Sequence, residues 1–280
     1  MSYVGRVFRP GVTLTLRASA TSPIDASALP LDQFVELDEA AIAKLEVRIA
    51  YQSVPLGDIF VVRGGHSASV RVDGALTHVH GLGTNLATGE LAIEGSVGDR
   101  VGAGMTGGRI YVAGSVGDDA GIAMRGGLLE VDGDAGDRLG AAGPGGRRGM
   151  TGGEIVVRGS VGAEAGTRSR RGLIVIGGST GANLARDIIA GTAVVFGRVG
   201  PEPGRGNKRG TIIATGGIDI PATYRLACTF EPPFVRLLMT YLVRQFDMTV
   251  GDDVVSGRFR RHCGDVGMPG RGEILEWVRA

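Results

Sequence analysis

Short runs of alternating apolar and polar residues recur along the middle of the chain: ELAIE, RIYVA, LLEVD, EIVVR, LIVIG, TAVVF and TIIAT. A period of two predicts short strands with one buried face. The inward pairs are Leu91/Ile93, Ile110/Val112, Leu129/Val131, Ile155/Val157, Ile174/Ile176, Ala193/Val195 and Ile212/Ala214. A glycine precedes each run, at Gly89, Gly108, Gly127, Gly153, Gly172, Gly191 and Gly210, so the steps are 19, 19, 26, 19, 19 and 19 residues. The long step contains AGPGGRR at Ala142–Arg148, which reads as a seven-residue surface insertion. A second glycine column lies six residues on, at Gly95, Gly114, Gly133, Gly159, Gly178, Gly197 and Gly216. A third lies nine residues on, at Gly98, Gly117, Gly136, Gly162, Gly181 and Gly200. Three residues before the marker runs an apolar column of Leu86, Met105, Met124, Met150 and Ile188, interrupted by Ser169 and Asn207.

Nineteen residues cannot hold a strand, a helical crossover and another strand, but they suffice for one turn of a solenoid. The glycines then serve corners that need positive φ or close backbone approach. The expected fold is an all-β solenoid, a right-handed parallel β-helix with 19-residue coils. Small N-terminal α/β and C-terminal helical segments would cap its ends, since bare ends expose apolar side chains and unpaired strand edges. Residues 1–56 read as the N-terminal cap, with a strand in VTLTLRA and an amphipathic helix in LDEAAIAKLEVRI. Residues 57–217 read as seven regular repeats preceded by less regular strands at Asp58–Arg63 and Ser69–Asp73. Residues 218–280 read as a cap or docking segment with a helix over Glu231–Met248. Pro232 and Pro233 open that helix, and Leu237, Leu238, Tyr241, Leu242 and Phe246 share one face.

Composition narrows the class. Of 50 glycines, 42 lie between Gly57 and Gly217 without a period of three, which excludes collagen. A chain that is 43% hydrophobic has material for a packed core, unlike a flexible low-complexity segment. The net charge of +1 argues against a wholly basic nucleic-acid surface. No apolar run reaches the length of a membrane span, and MSYVGRVFRPG lacks a signal-peptide core, so a cytoplasmic protein is expected. Cys228 and Cys263 form neither a metal-ligand spacing nor a disulfide framework. The small net charge hides an asymmetry: Gly57–Gly146 carries six arginines and eleven carboxylates, whereas Arg147–Gly210 carries eleven cations and four carboxylates. Arg147, Arg148, Arg168, Arg170, Arg171, Arg186, Arg205, Lys208 and Arg209 fall between strands. They read as a solvated face or partner surface, with steering of an anionic carrier as the sharper alternative.

Several motifs suggest chemistry and are better explained by the repeat. GAGMTG at Gly102–Gly107 matches a dinucleotide fingerprint, yet a strand follows it where a helix is required. GGSTG at Gly177–Gly181 matches a nucleophile elbow, yet Ser96, Ser115, Ser160 and Ser179 share one column. His78 and His80 would face one side of a strand, but lack a third metal ligand. His66 carries no accompanying motif, and His262 beside Cys263 has only adjacency to suggest thiol chemistry. Between Gly89 and Gly217 the only aromatic residues are Tyr111 and Phe196, and histidine is absent. That argues against a β-helix polysaccharide enzyme and against a hexapeptide-repeat acyltransferase. No catalytic, cofactor-binding or metal-ligating residue is assigned.

The windows GAGMTGGRIYVAG (Gly102–Gly114), GIAMRGGLLEVDG (Gly121–Gly133) and RRGMTGGEIVVRG (Arg147–Gly159) resemble the repeat of the C-type subunit of formylmethanofuran dehydrogenase. The tail GRFRRHCGDVGMPGRGEILEW (Gly257–Trp277) is similar to the C-terminal signature of that family, and the repeat also resembles the C-terminal β-helix domain of glutamate synthase. The resemblance implies a non-catalytic structural subunit in one of two settings. One is a molybdenum or tungsten formylmethanofuran dehydrogenase. The other, favoured by the arginine-rich composition, is the bacterial formyltransferase/hydrolase complex of formaldehyde oxidation. That complex converts formyl-tetrahydromethanopterin through formylmethanofuran (methylofuran) to formate. The implied partners are a metallo-hydrolase, a molybdopterin-protein-like subunit and a formyltransferase, which would hold the metal and the methanofuran-type carrier. The resemblance also implies a polyglutamyl tail on that carrier, an anionic client for the basic loops.

Overall fold

The computed structural model describes residues 8–18, 22–268 and 270–279. Residues 1–7 of the opening stretch and Pro269 of the tail motif lie outside them. The first strands are β1 (Val12–Leu16), β2 (Ile24–Asp25), β3 (Glu46–Ile49), β4 (Gln52–Pro55), β5 (Phe60–Gly64), β6 (Ser69–Asp73) and β7 (Val79–His80). The repeats supply β8 (Glu90–Glu94), β9 (Arg109–Val112), β10 (Leu128–Val131), β11 (Glu154–Val157), β12 (Leu173–Ile176), β13 (Thr192–Val195) and β14 (Thr211–Ala214). The tail adds β15 (Arg225–Phe230), β16 (Phe259–Gly264) and β17 (Gly272–Trp277).

Among the described residues, one 13-stranded sheet runs in the order β15-β16-β17-β14-β13-β12-β11-β10-β9-β8-β6-β1-β5. From β1 through β6, β8 to β14 and β17 the pairing is parallel; antiparallel β5 ends one side and antiparallel β16 and β15 the other. Leu91 pairs with Ile110 and Ile110 with Leu129, steps of 19 residues, whereas Leu129 pairs with Ile155, a step of 26. The insertion is therefore looped out. The Met150 N–H closes the excursion by donating to the Gly140 carbonyl at 3.0 Å. A second row of parallel bridges links Leu76, Val97, Val116, Ala135, Val161 and Thr180 at the same steps. Every predicted inward pair is buried, as are Leu86, Met105, Met124, Met150 and Ile188. Each buried aliphatic side chain in such a column contributes roughly 1.5–3 kcal/mol.

The glycine columns divide by physical cause. Six of the seven marker glycines have φ between 68° and 114°. The second column is about space: a Cβ on Gly114 would lie 2.4 Å from the Ser96 backbone nitrogen. A left-handed column also exists without glycine, at Arg100, Asp119, Arg138, Glu164, Asn183 and Glu202.

Two expectations change. LDEAAIAKLEVRI is not one helix: α1 spans only Glu39–Ala43, opened by an Asp38 carboxylate that accepts from the Ala41 N–H at 2.7 Å. The β-branched EVRI then becomes β3, paired antiparallel with β4 and β2 in a 4-stranded sheet. Asp58 likewise belongs to a single turn, α2 (Leu56–Ile59), ahead of β5. The strand face expected to meet solvent is covered over the later repeats. There Val156, Val175, Val194, Ile213 and Leu275 pack against Val235, Met239, Leu242 and Phe246 of α3 (Pro233–Phe246). The buried face of α3 is thus rotated from the one expected, leaving Leu237 and Tyr241 exposed. A short helix, α4 (Asp252–Val255), follows before β16.

Gly114→Ala should destabilise the fold by about 1–3 kcal/mol, since the added methyl meets backbone that cannot rotate away. Gly143→Ala, in the looped-out insertion with nothing within 4 Å of the added atom, should be neutral or slightly stabilising. Chemical denaturation of both variants checks the contrast, and equal losses would contradict it.

Candidate functional site

The catalytic-looking residues are built into the repeat. The Ser96 hydroxyl oxygen accepts from the Ser115 N–H, Ser115 from Asp134, Asp134 from Ser160, Ser160 from Ser179 and Ser179 from Arg198, all at 2.7–3.1 Å. Ser179 is therefore a rung of a ladder. A parallel ladder starts at His80, whose Nδ1 accepts from the Asp99 N–H at 2.9 Å. It continues through the carboxylates of Asp99, Asp118 and Asp137, each accepting an N–H of the next repeat at 2.7–2.9 Å. Glycine makes room for these rungs: a Cβ on Gly117 would sit 2.1 Å from Asp99 Oδ1. In Gly102–Gly107 every backbone N–H donates to a protein carbonyl, so none is left to cradle a phosphate.

The remaining histidines and cysteines do not converge. His78 and His66 are exposed. His262 is buried, with Nε2 at 3.0 Å from Glu276 Oε2. Cys263 follows it in β16 and projects to the opposite face, as alternation in a strand requires. Cys228 in edge strand β15 pairs with Arg261, which also lies two residues before Cys263. Among the described residues no three His, Cys, Asp or Glu side chains are grouped as a metal ion needs. No helix among them is long and apolar enough to cross a membrane.

Two polar clusters escaped the sequence reading. On the outer sheet face, Arg158 binds Asp132 at 2.8 Å and Glu130 at 2.5 Å, while the Tyr111 hydroxyl donates to Asp132. The second cluster lies where the tail returns to the last repeat. Asn207 is fully buried; its side chain accepts from the Gly210 N–H at 2.7 Å and donates to the Gly210 carbonyl at 3.0 Å. The break it makes in the apolar column thus holds the turn after residue 207. Asp265, also buried, accepts from the Gly206 and Gly267 N–H groups at 3.0 and 2.9 Å. Burial opposes its ionisation, but those N–H groups, Thr223 and the Arg205 charge together hold its carboxyl below the usual carboxylate range. The Tyr224 hydroxyl donates to the Gly204 carbonyl at 2.9 Å. Burial pushes the Tyr224 phenol up to about 12; the Asn207 hydrogen bond opposes this and the Asp265 charge adds to it.

The basic loops are only partly neutralised. Arg168 and Arg186 approach Asp187 at 3.8 and 3.9 Å, and Arg186 reaches Glu164 at 3.3 Å. Arg147, Arg148, Arg170, Arg171, Lys208 and Arg209 are exposed and have no ion pair within the described residues.

No protein-family model and no curated protein matches the chain. Among solved structures, it is similar to a chain in the X-ray crystal structure of the formyltransferase/hydrolase complex (FhcABCD) from Methylorubrum extorquens in complex with methylofuran. The two are 34% identical, the match covers 95% of this chain and 100% of that one, and the TM-score is 0.87. The chain belongs to the family of the C-type subunit of formylmethanofuran dehydrogenase. The full coverage brings the N-terminal segment and the tail into this family likeness along with the repeats.

Tyr224 gives this family member an alkaline signature. Below about pH 10 the phenol is protonated in both states. Between about pH 10 and 12 the unfolded chain ionises first, so the stability that Tyr224 contributes is lost as pH rises. Denaturant titrations across this window should show a steeper fall for the native chain than for Tyr224→Phe, by roughly 2–3 kcal/mol in total. Equal slopes would contradict the assignment.

Proposed function

We propose that the chain is a non-catalytic structural subunit of a formyltransferase/hydrolase complex. The complex passes a formyl group from formyl-tetrahydromethanopterin to a methanofuran-type carrier and releases formate. In this reading a metallo-hydrolase, a molybdopterin-protein-like subunit and a formyltransferase are the partners, and they hold the carrier and the metal. The observation that carries the reading is the likeness to a chain of such a complex at 34% identity over 95% of the sequence. The consumption of the serine, aspartate and His80 side chains as rungs supports it from within the chain. A cytoplasmic setting goes with this assignment.

The same reading assigns the ladder a form. The repeats wind as a right-handed parallel β-helix of 19-residue coils over residues 57–217, with residues 1–56 and 218–280 as its caps. The parallel steps of 19 residues in two separate rows support that winding. A continuous rod of this kind suits a protein that contributes surface rather than reactive groups.

The purified full chain, supplied with divalent metal and formylated carrier, should release formate no faster than buffer, whereas the assembled complex should turn over. Formate release by the metal-replete chain alone would contradict the proposal.

A further inference from the structure

Lys208, Arg209, Met268 and Arg271 line an open concavity of about 550 Å³. The volume falls within the range of roughly 300–1,000 Å³ typical of small-molecule sites. Three of the four lining residues are cations, and none of the three has an ion pair or side-chain hydrogen bond among the described residues.

The concavity is assembled from segments distant in sequence. Thr211 of β14 pairs with Glu273 of β17, so Arg209 and Arg271, each two residues earlier, stand side by side. The Arg271 N–H donates to the Lys208 carbonyl at 2.5 Å, which fixes the second loop against the first. Both loops are anchored on Asn207. A Cβ on Gly270 would lie 2.3 Å from its carbonyl oxygen, and one on Gly272 would lie 2.2 Å from its side chain. Like charges directly opposed on neighbouring strands destabilise a sheet.

The carboxylates nearby are committed elsewhere. Glu273 accepts from Arg261 at 2.7 Å and from Thr211 at 2.9 Å. Asp265 is held by the Gly206 and Gly267 N–H groups. The backbone ladder places Arg170 and Arg171 on the same corner, where Ile189 and Ala190 separate them from Lys208 and Arg209. The corner thus offers a run of unneutralised cations around a pre-positioned hollow, so an incoming ligand need not order it.

We propose that this concavity is a binding site for a small polyanion, a molecule carrying about two or three negative charges as phosphate or carboxylate groups. Guanidinium groups at Arg209 and Arg271 present paired N–H donors suited to either group, Lys208 adds a point charge, and Met268 supplies an apolar wall. The site belongs to this chain alone, so its success or failure is independent of the assembly proposed above.

Calorimetric titration of the full chain at low salt tests the site, with pyrophosphate and tricarballylate as polyanionic probes and acetate as the monovalent control. At least one polyanion should bind saturably at one site per chain, and acetate should not. Preference for pyrophosphate would identify a phosphate ligand, and preference for tricarballylate a carboxylate one. Arg209→Gln combined with Arg271→Gln should weaken binding at least about 10-fold. Arg147→Gln combined with Arg148→Gln removes the same charge from the insertion and should change affinity less than about twofold. Arg271→Gln alone supplies the comparison if the double variant melts early. Absence of saturable binding, or equal weakening by the two double variants, would overturn the proposal.

Discussion

The interaction on which the rest of this structure depends is a hydrogen bond between repeats. A backbone N–H of one repeat donates to a side-chain oxygen or nitrogen held beneath it. Asp99 can reach the Asp118 N–H because Gly117 has no Cβ in the way, and Ser115 reaches the Asp134 N–H past Gly133 in the same manner. Parallel strands of four or five residues cannot pair all the backbone of a 19-residue repeat. The corners must find partners elsewhere, since unpaired buried polar groups cost about 1–3 kcal/mol each. Two rows of side-chain rungs satisfy them, while the aliphatic columns inside supply the burial.

This arrangement determines what the chain has left for chemistry. The Ser and Asp residues along the repeats accept N–H groups, and the charged cluster on the outer face closes on itself through Arg158, Asp132 and Glu130. The stack must also end without bare aliphatic surface. β1 and β5 finish one side, and β17, β16 and β15 finish the other, while α3 lies over the outer face of the later strands. Asn207 stands where this transition happens and converts an apolar column into a fixed turn. What remains open is surface: the exposed side of α3, edge strand β15 and the basic corner.

The repeat, its looped-out insertion and its inward columns were legible in the sequence because a fixed step imposes the same environment on every copy. The rungs were less so. The serine column was visible as a repetition that argued against catalysis, but Asp99, Asp118 and Asp137 stand beside other acids and do not announce their partner. The left-handed column was hidden because Arg100, Asp119, Arg138, Glu164, Asn183 and Glu202 share a backbone conformation and no side-chain type. The face of α3 was misplaced, although Val156, Val175, Val194 and Ile213 already marked a second apolar face on the later strands. Helical spacing in LDEAAIAKLEVRI gave way to strand pairing because the EVRI half finds two antiparallel neighbours. The basic loops were read from charge alone; the place of Arg271 beside Arg209 depends on β17 returning to β14, which no local pattern encodes.

The central claim is that this member of the formylmethanofuran dehydrogenase family of C-type subunits works through its surface, as one chain of a larger assembly. Affinity capture of the tagged full chain from native extract, followed by mass spectrometry of the stoichiometric partners, tests it most directly. The account predicts a metallo-hydrolase and a pterin-dependent formyltransferase retained together with the chain. Recovery of the chain alone, or with a molybdopterin enzyme and no formyltransferase, would contradict it.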